Sequence, residues 1–226
     1  MNKLIILFFT FVFNANANPI DDQCSQFVTQ GAPVSALSDT IYMCKHHYAI
    51  NYRKDTKTPE YVVEHPTLSE VNGKSKRKDD FRADPTIPAP FQSTLSDYAG
   101  QPYDRGHLVP AGDSTETDAD MSESFFLSNM VPQNQNNNRG IWKQLETAVR
   151  NTVLSGKDLY VASGTIYNKD YKEIGTHKVG VPSHVWKVII NKTDNKSVGF
   201  IFPNTALPVS DLPKFAVSVS AVSYTH

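Results

Sequence analysis

Alternating apolar and polar positions mark the strands that the sequence predicts. The segment Tyr48–Tyr52 alternates and is rich in aromatic residues, and a polar turn containing a proline separates it from Tyr61–Glu64. This order is typical of a β-hairpin. The same reasoning predicts further strands at Phe125–Met130, Leu159–Ser163, Val185–Asn191 and Ser197–Phe202, with a turn at Thr193–Lys196.

One segment has the period of a helix rather than that of a strand. Ile141, Leu145, Val149 and Val153 recur every four residues, and Trp142 widens this apolar stripe. Such a stripe buries one face of an amphipathic helix against a core. The sequence therefore predicts one substantial helix between two groups of strands.

The limits of this helix follow from its flanking residues. Gly156 can adopt the left-handed conformation that ends a helix, and Asn137 or Asn138 can cap its start. Strands on both sides of a single helix predict an α+β domain with a mixed, largely antiparallel sheet. No internal repeat of 20 to 50 residues or linker is evident, so one domain is expected.

The first residues of the chain have a different pattern. Lys3 supplies a positive charge, Leu4–Phe13 is an apolar run broken only by Thr10, and Ala15–Ala17 fits a cleavage site. The sequence therefore predicts a signal peptide over residues 1–17 and a secreted or periplasmic protein. A membrane anchor is the alternative, but this run falls well short of the ~20 apolar residues that span a bilayer. No membrane contact is expected after cleavage.

The only two cysteines, Cys24 and Cys44, both lie near the N-terminus. In an exported chain they predict one disulfide, with two free thiols as the alternative. The predicted layout is a signal peptide at 1–17, an N-terminal arm at 18–47 that the disulfide would close, and the main domain at 48–226.

Overall charge does not indicate a nucleic-acid partner, because the formal net charge of the chain is −1. Attraction to phosphate depends on local clusters rather than on net charge. The segment Lys74–Lys78 is such a cluster, since four of its five residues are basic. It predicts a phosphate-binding patch or, equally, a solvated loop.

The densest group of chemically active side chains is Tyr103–Ala111, which contains His107. Histidine exchanges protons near neutral pH, although a lone histidine beside apolar residues is more often structural. Downstream, Ser128–Gln133 and Asn136–Trp142 supply a row of amides, and Glu146 follows on the predicted helix. Hydrolysis of a phosphodiester needs activated water, a cation and help for the leaving oxygen, and these residue types can supply them.

A magnesium ion would suit this set of side chains. Mg²⁺ prefers oxygen ligands and keeps most of its water, so one or two protein oxygens suffice. An amide oxygen of Asn138, at the start of the helix, can be one of them. Glu146, two turns later, could hold water on the metal, but it could equally be an exposed helix carboxylate.

Three segments in order, Asp104–His107, Ser128–Gln133 and Asn136–Glu146, resemble the DNA/RNA non-specific endonucleases. The active site of that family is the ββα-metal, or His-Me finger, motif. The resemblance therefore implies an α+β domain built around this motif. Further similar segments are Phe81–Pro85 and Val181–Val188, within an overall resemblance from about Tyr48 to Pro203.

The resemblance implies a role for each candidate residue. His107 would be the general base, Asn138 the direct Mg²⁺ ligand, and Glu146 a carboxylate that orients water on the metal. Arg105 would support the site or bind phosphate. The residues that would shape the site or contact the substrate are Asn129 and Gln133.

The family also uses an upstream arginine to stabilise the pentacovalent phosphate. The candidates in this chain are Arg77, Lys78 and Arg82. We predict Arg77 for this role, because a guanidinium can bind two phosphate oxygens whereas an ammonium is a point charge. The resemblance does not separate the three by alignment.

Together with the N-terminal segment, the resemblance implies an exported, Mg²⁺-dependent endonuclease that cleaves DNA and RNA with little sequence preference and leaves 5′-phosphate ends; Mn²⁺ could replace Mg²⁺. One alternative is a nucleic-acid-binding protein that has lost catalysis, although the His, Asn and Glu candidates are all present. Another is a toxin or effector nuclease with a cognate inhibitor protein. The sequence leaves the oligomeric state and the preference between DNA and RNA open.

Overall fold

A seven-stranded antiparallel sheet forms the centre of the protein. The structure, a computed structural model, describes residues 24–223, so the predicted signal peptide lies outside the described residues. In chain order the strands are β1 (Thr40–Cys44), β2 (Tyr48–Arg53), β3 (Thr58–Glu64), β4 (Tyr103–His107), β5 (Met130–Asn134), β6 (Leu159–Ile166), β7 (Glu173–Ile174), β8 (Val179–Gly180), β9 (His184–Asn191), β10 (Lys196–Pro203) and β11 (Ala216–Val217). The large sheet has the order β1-β2-β3-β6-β9-β10-β11, while β4 pairs with β5 and β7 with β8.

Helices and short helical turns fill the connections between the strands. The α-helices are α1 (Leu68–Val71), α2 (Leu95–Tyr98), α3 (Asp118–Glu123), α4 (Gln135–Asn137), α5 (Lys143–Leu154) and α6 (Val219–Ser223), and a π-helical turn, Asn138–Trp142, joins α4 to α5. Across the described part of the chain, no helix is long and apolar enough to cross a membrane. The mixed, largely antiparallel α+β fold is as the sequence predicts.

The sheet is buried on both faces, because side chains alternate along each strand. Tyr48, Ile50 and Tyr52 of β2 enter a core shared with the helix side of the sheet. Ala49 packs into a second core on the opposite face, together with Trp186 of β9. Full burial of a large apolar side chain stabilises the fold by about 1.5–3 kcal/mol.

Most of the predicted strands are confirmed. β2 and β3 form the predicted antiparallel hairpin, and β6, β9 and β10 match three of the remaining segments. The strand predicted at Phe125–Met130 is wrong. Leu127–Asn129 forms a 3₁₀ turn there, and β5 begins only at Met130. The apolar residues of this run are buried by tertiary packing rather than by strand pairing, which a hydrophobic pattern alone does not distinguish.

The main helix is confirmed, but its start is earlier than predicted. Helical structure begins at Gln135, because the side chain of Asn134 accepts hydrogen bonds from the backbone N–H groups of Asn136 and Asn137, both at 3.1 Å. Asn134 is therefore the N-cap in place of the predicted Asn137 or Asn138. At the other end, Gly156 has φ +87° and ends the helix as predicted.

The N-terminal arm is tied to the domain more closely than predicted. The disulfide between Cys24 and Cys44 is present, with Cα atoms 5.7 Å apart. However, β1 lies inside the predicted arm at 18–47 and pairs with β2 as the edge strand of the large sheet. The boundary at residue 48 is therefore wrong, because backbone pairing extends the domain to Thr40.

Removing this disulfide should lower stability without disturbing the sheet. The bond closes a chain segment of 20 residues. A disulfide that closes a loop of this length stabilises the folded protein by about 3 kcal/mol, because it restricts the unfolded chain. We expect the Cys24→Ser, Cys44→Ser double variant to unfold at lower denaturant concentration, measured by circular dichroism in urea. An unchanged midpoint, with the oxidised state of the parent checked by mass, would contradict this expectation.

Candidate active site

The two-stranded sheet of β4 and β5 and the helix that follows it form one compact unit. His107, the last residue of β4, pairs with Met130 of β5. The close approach of the strands requires a glycine beside the histidine, since a Cβ on Gly106 would lie 2.0 Å from Oε1 of Gln133. The chain then turns into the π-helical segment that starts at Asn138. This is the ββα arrangement that the family resemblance implies.

A cleft of about 740 Å³ opens above this unit. Five of the predicted site residues line it together: Arg77, Arg105, His107, Asn138 and Glu146. The other charged side chains on its walls are Asp79, Asp104, Arg139, Lys143 and Arg150. Basic side chains outnumber acidic ones, so the cleft suits an anionic ligand although the whole chain carries a slight negative charge.

His107 is nearly buried at the base of the cleft, with 9% of its surface exposed. Its ring makes T-shaped contacts with the rings of Phe81 and Phe125, at centroid distances of 5.6 and 4.9 Å. Burial, together with the positive charges of Arg77 and Arg105, lowers the pKa of His107 to about 3. The imidazole is therefore neutral at neutral pH, which is the form that can accept a proton.

One nitrogen of this ring has no partner among the described residues. Nε2 of His107 is buried and makes no hydrogen bond to any of them. An unsatisfied buried polar atom costs about 1–3 kcal/mol, and such atoms persist where function needs them. A water molecule or a substrate oxygen would satisfy it.

Asn138 is held by a carboxylate across the cleft. Its Nδ2 donates a hydrogen bond of 2.9 Å to Asp104, which also forms a two-pronged ion pair with Arg139 at 2.6 and 2.8 Å. Burial alone would raise the pKa of Asp104, but hydrogen bonds from Arg139 and Asn138 hold it below the usual value. Since the amide nitrogen is engaged, the Oδ1 atom of Asn138 is the one left for a cation.

Glu146 lies on α5 with its side chain half-buried in the cleft wall. Burial raises the pKa of Glu146 to about 7, an effect that Lys187 partly offsets and that Asp113 increases. Arg150, on the same cleft, is held by Asp113 at 2.6 Å. A cation bound in the cleft would stabilise the charged form of the Glu146 carboxylate.

The structure separates the three candidates for the upstream arginine. Arg77 lines the cleft, with its guanidinium 4.9 Å from the centre of the Phe125 ring and a 2.7 Å hydrogen bond to Asp79. Lys78 is directed to Asp118 at 3.1 Å, and Arg82 is held against Asp80 and the Phe126 ring. Of the three, only Arg77 is placed to reach a ligand in the cleft.

Asn129 and Gln133 do not line the cleft. Both are fully buried. The side chain of Asn129 accepts a hydrogen bond from the N–H of Val109 at 3.0 Å and donates to its carbonyl at 2.9 Å, which fixes the chain just after His107. Gln133 donates to Asn137 at 3.0 Å. The predicted contact with substrate is therefore corrected to a role in shaping the site, because neither side chain is accessible.

Sequence reasoning missed several side chains that the cleft brings together. Asp104 stands in the same motif as His107, but only its contact with Asn138 shows what it positions. Arg150 is anchored by Asp113 and by the carbonyl of Gly112, so that it forms part of the cleft wall. The available signal was the helical spacing of Arg139, Lys143 and Arg150 after Asn138, which places them near one face.

The residues present fit a hard divalent cation. Asn138 Oδ1 and the Glu146 carboxylate are oxygen donors on the same cleft, and Mg²⁺ needs few protein ligands because it retains water. Within residues 24–223 no cluster of three or more His, Cys, Asp or Glu side chains could hold a metal ion. A site here would therefore rest on an amide and a carboxylate rather than on a cage of acidic residues.

Comparison with known proteins defines the family. The model of the DNA/RNA non-specific endonuclease family matches residues 25–225. "Nuclease EXOG, mitochondrial" of Danio rerio is 34% identical over 206 residues, which cover 84% of this chain and 59% of that protein. "Nuclease C1" of Cunninghamella echinulata var. echinulata is 34% identical over 198 residues, covering 80% and 79%. The chain belongs to the DNA/RNA non-specific endonuclease family.

A solved structure supports the same assignment. The crystal structure of the EndoG/EndoGI complex, which addresses the mechanism of EndoG inhibition, superposes with a TM-score of 0.79 at 29% identity, over 89% of this chain and 88% of that one. It confirms the fold around the ββα unit. The chain spans 59% of the length of the Danio rerio relative and 55% of that of Homo sapiens.

The predicted location of the protein is contradicted by these relatives. The EXOG nucleases of Danio rerio and Homo sapiens and "Nuclease 1, mitochondrial" of Schizosaccharomyces pombe are all named as mitochondrial proteins. These names point to mitochondria rather than to secretion or the periplasm. The prediction depended on the N-terminal segment alone, which lies outside the described residues.

Proposed function

We propose that the protein is an endonuclease that hydrolyses phosphodiester bonds of both DNA and RNA, with a divalent cation, Mg²⁺, as cofactor and 5′-phosphate ends as products. The observation that supports this most directly is the convergence of His107, Asn138 and Glu146 on one basic cleft. In the described part of the chain no base-reading element is evident beside the cleft, which is consistent with contacts to the phosphate backbone rather than to bases.

His107 acts as the general base in this proposal. Its neutral imidazole takes a proton from the attacking water, and the unpartnered Nε2 is the atom that can do so. Because the two flanking rings and the buried surroundings fix the imidazole, little reorganisation is needed when the proton moves. A positioned base of this kind contributes about 10²- to 10⁴-fold to the rate.

Charge on the phosphate is offset from two sides of the cleft. Arg77 and Arg105 lie beside His107, and each guanidinium is packed against a phenylalanine ring, at 4.9 and 4.2 Å. Asn138 and Glu146 would hold the cation, which when bound supplies Lewis-acid stabilisation of the charge that grows on the phosphate and leaving oxygens. In this proposal the base and the cation ligands, which line the same cleft, act on one phosphorus.

The direct test is digestion of plasmid DNA and of a structured RNA by the purified chain. Parallel reactions contain Mg²⁺, Mn²⁺ or EDTA, and product ends are identified by ligation of the DNA fragments, which requires 5′-phosphates. We expect cleavage of both substrates with either metal and none with EDTA. Binding of both nucleic acids without cleavage under any metal condition would favour the catalytically inactive alternative.

The solved neighbour is a complex of EndoG with EndoGI and concerns the inhibition of EndoG. We propose that an inhibitor protein of this chain, if one binds, would cover the same basic cleft. Competition between an acidic inhibitor protein and DNA for binding to the wild-type chain would support this proposal. Inhibition by such a protein should disappear at high salt, because salt screens the attraction between opposite charges.

Lys143 should contribute one phosphate contact to substrate binding. It lies on the cleft wall, exposed, one turn after Arg139 and one turn before Thr147. Removing one phosphate contact reduces the slope of log K against log salt concentration by about 1. We expect Lys143→Gln to show this reduction for duplex DNA, measured by fluorescence anisotropy between 50 and 200 mM salt, about the range where such slopes are resolved.

The matched control for this measurement is Lys196→Gln. Lys196 is also exposed but lies on β10, outside the residues that line the cleft. Both variants lose one charge, so an effect of net charge alone would change their slopes equally. Equal slopes in the two variants would show that Lys143 does not touch the substrate.

A further inference from the structure

The indole of Trp142 connects the two halves of the site. Trp142 is fully buried, and its Nε1 donates a hydrogen bond of 3.1 Å to the carbonyl oxygen of His107, 35 residues earlier in the chain. This bond joins the end of β4, which carries His107, to the helical segment that carries Asn138. It is a direct link between the backbone of the candidate base and the element of the candidate cation ligand.

The π-helical turn explains how one short segment carries both a cleft residue, Asn138, and a core residue, Trp142. The N–H of Lys143 donates to the carbonyl of Asn138, five residues earlier, in place of the usual spacing of four. The wider turn places Asn138 in the cleft and Trp142 in the core below it. Turns of this kind are rare within helices and are frequent at functional sites.

Lys187 supports the indole from the sheet. Its buried ammonium lies 4.8 Å from the centre of the Trp142 ring and donates to Ser163 of the neighbouring strand at 2.5 Å. It also approaches the carbonyl of Leu108 at 3.5 Å. The backbone at His107 and Leu108 is therefore held from beneath by two side chains that do not line the cleft.

We propose that Trp142 is a positioning residue, whose indole N–H fixes the carbonyl of His107 and so directs the imidazole at the attacking water. The proposal rests on the endonuclease function proposed above. Loss of the indole N–H would leave the imidazole present but misplaced, and it would also remove the hydrogen bond that the Trp142 side chain makes to Glu146. The resonances of the His107 ring therefore report on the positioning role separately from any effect on Glu146. Displacement by about 1 Å can lower a rate by roughly 100-fold, so a small structural change suffices.

The test replaces the N–H and keeps the shape of the ring. The chain contains only two tryptophans, Trp142 and Trp186. In a Trp186→Phe background, global incorporation of benzothienylalanine, a two-ring isostere without the N–H, therefore alters position 142 alone. The reference is the same background with ordinary tryptophan, and Trp142→Phe provides a second, fully genetic variant.

We expect the isostere to lower kcat about 10- to 100-fold with KM within twofold, and to shift the ¹⁵N and ¹³C resonances of the His107 ring. Trp186→Phe, which changes the core on the other face of the sheet, should leave both unchanged. Unchanged kcat and unchanged His107 resonances in the isostere would overturn the proposal. If wild type does not cleave, the proposed function fails, whereas the resonance shift still tests the positioning role.

Discussion

His107→Ala is expected to reduce cleavage of DNA and RNA by about 10²- to 10⁴-fold, the usual contribution of a general base. The loss should appear in kcat, because the imidazole acts on the attacking water rather than on binding. Stability should change little. Alanine gives up contacts with Phe81 and Phe125, but it also removes the buried nitrogen that has no partner among the described residues.

The measurement is initial-rate digestion of plasmid, with thermal unfolding recorded for the same samples. His184→Ala is the matched control, since His184 is half-buried on β9 and outside the cleft. Added imidazole should restore part of the activity of His107→Ala, because the vacated space adjoins the cleft. A His107→Ala enzyme that cuts as fast as the control would eliminate the proposed mechanism.

The parts of the site that local sequence could predict are those whose neighbours in the chain are also their neighbours in space. Asn138 and Glu146 are of this kind, since they lie on a helix whose apolar stripe is visible in the sequence. His107 is not, because it is placed by the pairing of β4 with β5, whose partners are more than 20 positions apart in the chain. The period of that stripe determines which side faces the core. Resemblance to the family then supplied the roles, which spacing alone does not give.

The parts that could not be predicted depend on partners distant in sequence. Asp104 and Asn138 are 34 residues apart, and the buried Lys187 contacts Ser163 across the sheet. Asn129 is a residue type that often binds substrate, yet its side-chain amide forms hydrogen bonds with the backbone of Val109 instead. A side-chain amide can serve backbone or ligand equally well, and only the fold decides between them.

The choice of Arg77 shows both what the sequence could predict and what required the structure. Sequence offers Arg77 and Arg82 with the same chemistry, five positions apart. The structure shows Arg82 donating to Asp80 and to the carbonyl of Ser122, whereas Arg77 remains at the cleft. Since guanidinium groups are satisfied by whichever acceptors are nearest, alignment alone could not separate them.

Asn138→Ala is expected to lower activity by more than about 100-fold at ordinary Mg²⁺ concentrations. Loss of a residue that only supports a metal ligand costs about 10- to 100-fold, and loss of the ligand itself should cost more. The variant removes the Oδ1 ligand and the hydrogen bond to Asp104 together. The effect should diminish as Mg²⁺ is raised, because binding of the cation is impaired. Asn136→Ala, at an exposed position two residues earlier, is the control and should behave as wild type.

Two further variants separate ligation from orientation. Asp104→Asn leaves Oδ1 of Asn138 in place but weakens what orients it, together with the ion pair to Arg139. It should raise the Mg²⁺ concentration for half-maximal activity about 10- to 100-fold, less than Asn138→Ala. Asn138→Asp keeps an oxygen ligand and adds charge, but sets two carboxylates against each other where the amide now donates at 2.9 Å. Mg²⁺ titrations of the three variants should therefore rank Asn138→Ala as the most impaired, and wild-type Mg²⁺ dependence in that variant would place the cation elsewhere.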